Sequence, residues 1–344
     1  MIGLEGLTLA TGRLREAAAS LRTFARYVRD GLLPNLFPEG AREARYNTID
    51  ATLWYFHALD RFVRACESID LVRELYPVLE DIVARHLAGT RFGIGVDPED
   101  GLLAGGFEGV ALTWMDARFE DWVVTPRRGK PVEVQALWYN ALALMAEWAG
   151  ALGRPDTGLR EHASRARTAF NARFWNPRAD ALFDVVDGPG GDDASFRPNQ
   201  IFAVSLRFPV LEERRWRAVV DAVQARLLTP YGLRTLAPGE AEYRRDYHGD
   251  LRSRDAAYHQ GTVWPWLIGH FIDAWLRVYD DPVRAREMLA AFPAHLCEAG
   301  VGSVSEICDA EPPFRPRGCI AQAWSVAETL RAWCEIGAGA GRPA

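Results

Sequence analysis

Apolar positions along the chain fall into two kinds of helical segment. In the first kind they recur every three or four residues. Leu71, Leu75, Val78/Leu79, Ile82/Val83 and Leu87 share one face, while Asp70, Arg73, Glu74, Asp81 and Arg85 take the other. Trp216, Val219/Val220, Val223 and Leu227 repeat the pattern, as do Leu14, Ala18, Leu21, Phe24/Ala25 and Val28. Leu159 to Phe174 and Val283 to Leu296 follow it more loosely. The second kind is apolar almost all round and must be surrounded by protein. It comprises "VEVQALWYNALALMAEWAG" (132–150), "GTVWPWLIGHFIDAWL" (261–276), "CIAQAWSVAETLRAW" (319–333), "IDATLWYFHALDRFV" (49–63) and the shorter "RPNQIFAVSL" (197–206).

The two kinds alternate. Counting a stub at "MIGLEGLTLA", about eleven helices run inner, outer, inner to an inner one at the end. That order predicts an all-α chain folded as an (α/α)6 barrel, a six-hairpin toroid with six buried helices ringed by amphipathic ones. A two-layer solenoid also alternates, but its helices are more equal in polarity. Residues 1–336 are expected as one domain with a truncated first inner helix, and "GAGAGRPA" (337–344) as a flexible tail. Strand signals are sparse; 91–106 and 181–193 read as loops or small hairpins.

Composition narrows the function. The net charge of -6 over 344 residues, with acids and bases interspersed and no basic run, argues against nucleic acid. Polar and charged residues interrupt the two most apolar stretches, so no membrane span is expected. Five cysteines without a CxxC pair read as reduced thiols in a cytoplasmic protein.

The polar and aromatic clusters are not scattered. "YNTID" (46–50), Thr113 to Gln135, "RPNQ" (197–200), "YHQGTVWPW" (258–266) and Ser305 to Trp324 each sit at the start of an inner helix. With parallel inner helices, five loops converge on one funnel. Trp54, Trp114, Trp138, Trp264, Trp266 and Trp324 fall in or beside these clusters, whereas Trp148, Trp275 and Trp333 read as core. Indoles interleaved with Asn, Gln, Arg, Asp and Glu suit a sugar, which offers C–H faces and hydroxyls together.

Glycoside hydrolysis needs two carboxyl groups flanking the bond. Asp116, behind Trp114 and Met115, is placed where desolvation keeps an acid protonated. Glu306, in "GSVSEICDAEPPF", has polar neighbours and suits the ionised base; Asp309, Glu311 and Glu133 compete with it. The plain alternatives are an N-cap for Asp116 and a solvated loop acid for Glu306. Asp50 fits either a hydroxyl acceptor or an N-cap. Lys130, Glu133, Gln135, Arg197, Asn199, Gln200, Tyr258, His259, Gln260, Gln322, Trp114, Trp264 and Trp324 complete the candidate sugar-binding set, although any polar member also suits buried backbone. No HxxxH, HxH, Walker or Rossmann pattern is present, so neither metal nor cofactor is expected.

"TWMDA", "VTPRRGKPVEVQALWYNAL", "RPNQIFAVS", "YHQGTVWPWLIG" and "SEICDAEPPFRPRGCIAQAWSVAE", in that order, resemble the C-terminal glucosidase domain of glycogen debranching enzymes. "GLTLATGR", "GLLPNLFPEG" and "YNTIDATLWYFHAL" extend the resemblance over nearly the whole chain. It implies an (α/α)6 barrel that hydrolyses, with inversion, the single α-1,6-linked glucose stub of a trimmed glycogen branch. By motif, it implies Asp116 as general acid and Glu306 as general base. Members of that family begin the domain with an aromatic-rich segment ending in W-G-R-D and usually carry a β-rich domain before it. This chain starts just after that point, so one pocket wall is expected to be missing. The glucanotransferase domain of the bifunctional enzymes is not represented, and transfer is not expected. Within enzymes the alternative is a glucoamylase-like or trehalase-like inverting glucosidase; outside them, a catalytically impaired carbohydrate-binding fragment.

Overall fold

A computed structural model describes residues 1–37, 43–156 and 158–339. The end of "GLLPNLFPEG" and residues 340–344 of the expected tail lie outside them. A five-residue turn, Glu5–Leu9, comes first. Twelve helices follow among the described residues: α1 (Leu14–Arg26), α2 (Ala51–Cys66), α3 (Asp70–Ala88), α4 (Val132–Ala151), α5 (Leu159–Arg173), α6 (Phe202–Ser205), α7 (Trp216–Leu227), α8 (Leu251–Tyr258), α9 (Leu267–Tyr279), α10 (Pro282–Glu287), α11 (Phe292–His295) and α12 (Ala323–Gly339). A 3-10 turn, Pro198–Ile201, leads into α6.

The Glu5–Leu9 turn, α2, α4, α6, α9 and α12 touch in succession, and α12 closes back on the turn. This is the inner ring of the predicted toroid, with its first member short. Closure is tight: a Cβ on Gly6 would run into the backbone of Ala327 on α12. Helices α1, α3, α5, α7 and α10 pack outside. Inner α4 buries fifteen of its twenty residues and outer α1 only three of thirteen, matching their apolar patterns. Inside the ring Trp54 meets Phe202, Trp266 and His270 at 5.3, 6.2 and 5.2 Å between centroids, and Phe202 stacks on Trp266 at 5.7 Å.

Three features differ from the sequence reading. Helix α12 continues to Gly339, three residues into the expected tail, because Ile336 is still buried and carries the helix onward. Trp333 is 42% exposed, with the Arg286 guanidinium 4.5 Å above its ring, and is not core. A meander of five very short antiparallel strands, Leu228–Thr229, Gly232–Arg234, Val263–Trp264, Ile307–Cys308 and Pro316–Arg317, crosses one end of the barrel. Its pairing of Val263 with Cys308 brings the Glu306 loop beside "YHQGTVWPW".

Candidate active site

The Thr113–Asp116 segment has no regular structure of its own and is held by side chains. Asp50 stands at the N-cap position of α2 but does not cap it. Its Oδ2 accepts the Trp114 backbone N–H at 2.7 Å and its Oδ1 the Thr48 hydroxyl at 2.7 Å. Trp114 Nε1 then donates to Asn199 Oδ1 at 2.9 Å, and Asn199 Nδ2 to Asp184 Oδ1 at 2.8 Å. Arg127 anchors the series, with Nε on Asp184 Oδ2 at 2.6 Å and both terminal nitrogens on the Glu133 carboxylate. Sequence reading missed Arg127 and Asp184.

This scaffold delivers Asp116 into a cleft of about 560 Å³. Met1–Leu4, Leu33–Asn35, Asp50, Trp54, Trp114, Gln322 and Trp324 are among its walls, so the N-terminal residues form part of the side where a gap was expected. The Asp116 carboxylate faces the open cleft and accepts no hydrogen bond from another side chain among the described residues. Its surroundings nevertheless exclude much of the nearby water, and this desolvation raises its pKa to about 6, against the pull of its own backbone N–H. It is not an N-cap.

Glu306 is nearly buried and meets only neutral donors. Tyr258 Oη and Gln322 Nε2 donate to its Oε1 at 2.7 and 3.1 Å, and the Cys319 backbone N–H donates to Oε2 at 2.9 Å. A Cβ on Gly318, which has φ +65°, would overlap Oε2. The competing acids are occupied differently. Arg317 forks onto Asp309 at 2.9–3.1 Å, Tyr243 donates to Glu311 at 2.5 Å with Arg234 3.6 Å away, and Arg127 neutralises Glu133. Tyr258 is bonded to Glu306 and also feels the charge of Asp116. Its phenol pKa is raised, first by burial, then by its hydrogen bond to Glu306 and the charges of Glu306, Tyr247 and Asp116.

Trp54, Trp114 and Trp324 line the cleft, with Trp264 and Trp266 buried behind them. Trp114 meets Trp264 and Trp266 edge-on at 5.4 and 5.1 Å, and Trp324 lies 5.3 Å from each of them, edge-on to Trp264 and stacked on Trp266. Trp264 and His259 stack at 5.2 Å; burial and the Arg197 and Arg127 charges hold that imidazole neutral.

The remaining candidates are spent on the fold. Arg197 donates to the Thr235 and His259 carbonyls and to Gln260 Oε1 at 2.7–3.1 Å, fixing the loop before α9. Gln135 pins the backbone of Leu103 and Pro131, and Gln200 that of Leu182 and Arg197. Lys130 lies away from the cleft, its ammonium caged at 2.7–2.8 Å by Asp97, Asp100 and Asp187. Those three carboxylates have cation-binding spacing. The lysine supplies the positive charge within the molecule.

The cleft brings an indole face on Trp114 and Trp324 beside the Asp116 carboxyl, and Gln322 on its wall also donates to Glu306. Residues 1–331 match the family model for amylo-alpha-1,6-glucosidase. The chain belongs to the amylo-alpha-1,6-glucosidase family. The family's curated relatives include the glycogen debranching enzyme of Saccharomyces cerevisiae, 26% identical over 79% of this chain. The chain spans 24% of that relative's length. Among solved structures, a GH63 mannosylglycerate hydrolase from Thermus thermophilus superposes with a TM-score of 0.70 at 15% identity, covering 96% of this chain and 91% of its own. An uncharacterized conserved protein from the same organism gives 0.68 at 17% identity with the same coverage. A rhamnosidase from Klebsiella oxytoca gives 0.62 at 16% identity, covering 96% of this chain and 56% of its own. At these identities the structures establish the six-hairpin fold, and the family match establishes a glycosidase-like chain. No helix among the described residues is long and apolar enough to cross a membrane.

Proposed function

We propose that this amylo-alpha-1,6-glucosidase family chain hydrolyses single α-1,6-linked glucose stubs of trimmed glycogen or limit dextrin, with inversion. Asp116 donates a proton to the leaving oxygen while Glu306 takes one from the attacking water. The observation carrying this reading is that the cleft presents Asp116 with no side-chain partner and a raised pKa, and shares its wall residue Gln322 with Glu306, a second carboxylate that has no cationic partner among the described residues. Trp114 and Trp324 supply a face for the sugar ring. Tyr258 and Gln322 orient the base; Asp50, Asn199 and Arg197 hold the walls in register.

Inversion predicts that NMR of fresh hydrolysate from a branched limit dextrin shows β-glucose first. Initial α-glucose would sink the mechanism. Faster release from maltose or trehalose than from the dextrin would move the substrate to the glucoamylase-like or trehalase-like alternative.

The pH profile has a definite sign. A general acid works only while protonated, so kcat/KM is expected to fall as pH rises through about 6, the Asp116 value, approaching tenfold per unit above it. A profile flat from pH 5 to 8 would remove Asp116 from the proton-donor role.

A further inference from the structure

A second polar cavity, of about 290 Å³, lies at the other end of the ring, where the inner helices finish. Five arginines, Arg61, Arg64, Arg207, Arg277 and Arg331, line it against three carboxylates, Asp60, Asp273 and Glu335. Several are committed: Arg331 to Asp273, Glu328 and Glu335 at 2.7–3.2 Å, Arg61 to Glu5 at 2.5 Å, and Arg207 to Asp60 and Glu147 at 2.6 and 2.9 Å. Arg64 and Arg277 make no ion pair among the described residues. Both stand near helix C-termini, where the backbone dipole favours a cation. Arg277 also lies 5.6 Å over the Trp216 ring, but neither the dipole nor that ring takes up the N–H donors.

Three buried polar atoms of residues on the wall also lack partners among the described residues: His57 Nδ1, Asp60 Oδ2 and Ser205 Oγ. Asp60 is 1% exposed and spends only Oδ1, on Arg207, while Oδ2 accepts nothing; Ser205 is 7% exposed and its hydroxyl makes no hydrogen bond. Leaving such atoms unpaired in a dry site is destabilising. The field here is positive: after burial, the charges of Arg61 and Arg331 are what depress His57 and His270.

We propose that this cavity binds a small hydroxylated phosphate of the sugar-phosphate class, its phosphoryl oxygens on Arg64 and Arg277 and a hydroxyl between Asp60 Oδ2 and Ser205. A phosphoryl group matches forked guanidinium donors, and a neighbouring hydroxyl can donate to Asp60 while accepting from Ser205. The volume is that of a small ligand site. This assignment is independent of the chemistry proposed for the cleft.

Thermal shift and calorimetry with glucose 6-phosphate, inorganic phosphate and glucose, at constant ionic strength, test it. Glucose 6-phosphate is expected to raise Tm in a saturable way, with inorganic phosphate binding about tenfold more weakly. The double variant Arg64→Met/Arg277→Met, which strands no carboxylate, should keep the unliganded Tm and glucosidase rate but lose at least about tenfold in glucose 6-phosphate affinity. Undiminished binding in that variant, or no saturable shift in the wild type, overturns the site. Equal affinity for the two phosphates, or no loss on Ser205→Ala, overturns the hydroxyl contact.

Discussion

Asp116→Asn is expected to lower kcat on a branched limit dextrin by about 10²–10⁴-fold, the usual contribution of a positioned proton donor. It should leave hydrolysis of α-glucosyl fluoride far less affected, because fluoride departs without being protonated. Glu306→Gln should lower both rates by a similar factor, since water must be deprotonated whatever leaves. The pair therefore separates the two roles, which a loss of activity alone would not. Asn fills the volume of Asp116 and leaves the Asp50–Trp114 latch intact, so KM should change little. Equal losses on both substrates for Asp116→Asn would remove it as the acid. A near-wild-type Glu306→Gln would send the base back to Asp309 or Glu311, each of which has an arginine beside it.

The second large effect is on stability. Arg127 is the counter-charge of Glu133 and Asp184, and the side chains of all three are at most 2% exposed. Arg127→Met leaves buried Glu133 without a counter-charge and Asp184 with only Arg197, 3.6 Å away, and should cost about 3–5 kcal/mol, lowering Tm by roughly 10 °C for a chain of this size. Burial already raises the Glu133 pKa and Arg127 opposes that rise, so in the variant it goes higher still; the lost stability is smallest at acid pH and grows as pH rises from the unfolded value towards the raised one. Melts at pH 5 and pH 8 should show the larger deficit at pH 8. A triple change that also makes Glu133→Gln and Asp184→Asn should recover part of it. A single variant that melts like the wild type would mean that the pair contributes no net stability.

The alternation of buried and half-buried helices was legible because burial on all sides and burial on one side leave different patterns. The helix-mouth clusters were legible for the same reason: polar residues interrupt otherwise apolar segments only at one end. Arg127 and Asp184 were not legible. They are 57 residues apart and meet only because the Val185–Gly188 strand pairs with Lys130–Pro131. Lys130 was misplaced on similar grounds, since its three carboxylates lie 30 to 57 residues away and nothing local announces a cage. Strands of two or three residues cannot display alternation, so the meander that brings Glu306 to Tyr258 left no periodic trace. Neutral donors around Glu306 likewise become visible only when three loops are placed side by side.

The aromatic residues packed across the ring interior have one further consequence. Trp54 of α2, Phe202 of α6, and Trp266 and His270 at the start of α9 pack against one another, all four buried, and among the described residues they fill the ring between the cleft and the far end of the barrel. The cleft is a cul-de-sac. On the glucosidase reading proposed above, a polysaccharide would not thread through it: only a chain end or a one-residue stub would reach the floor, and the product would back out through the mouth by which it entered. Each turnover would then end with the pocket emptied towards solvent, as removal of single units with release between cuts requires.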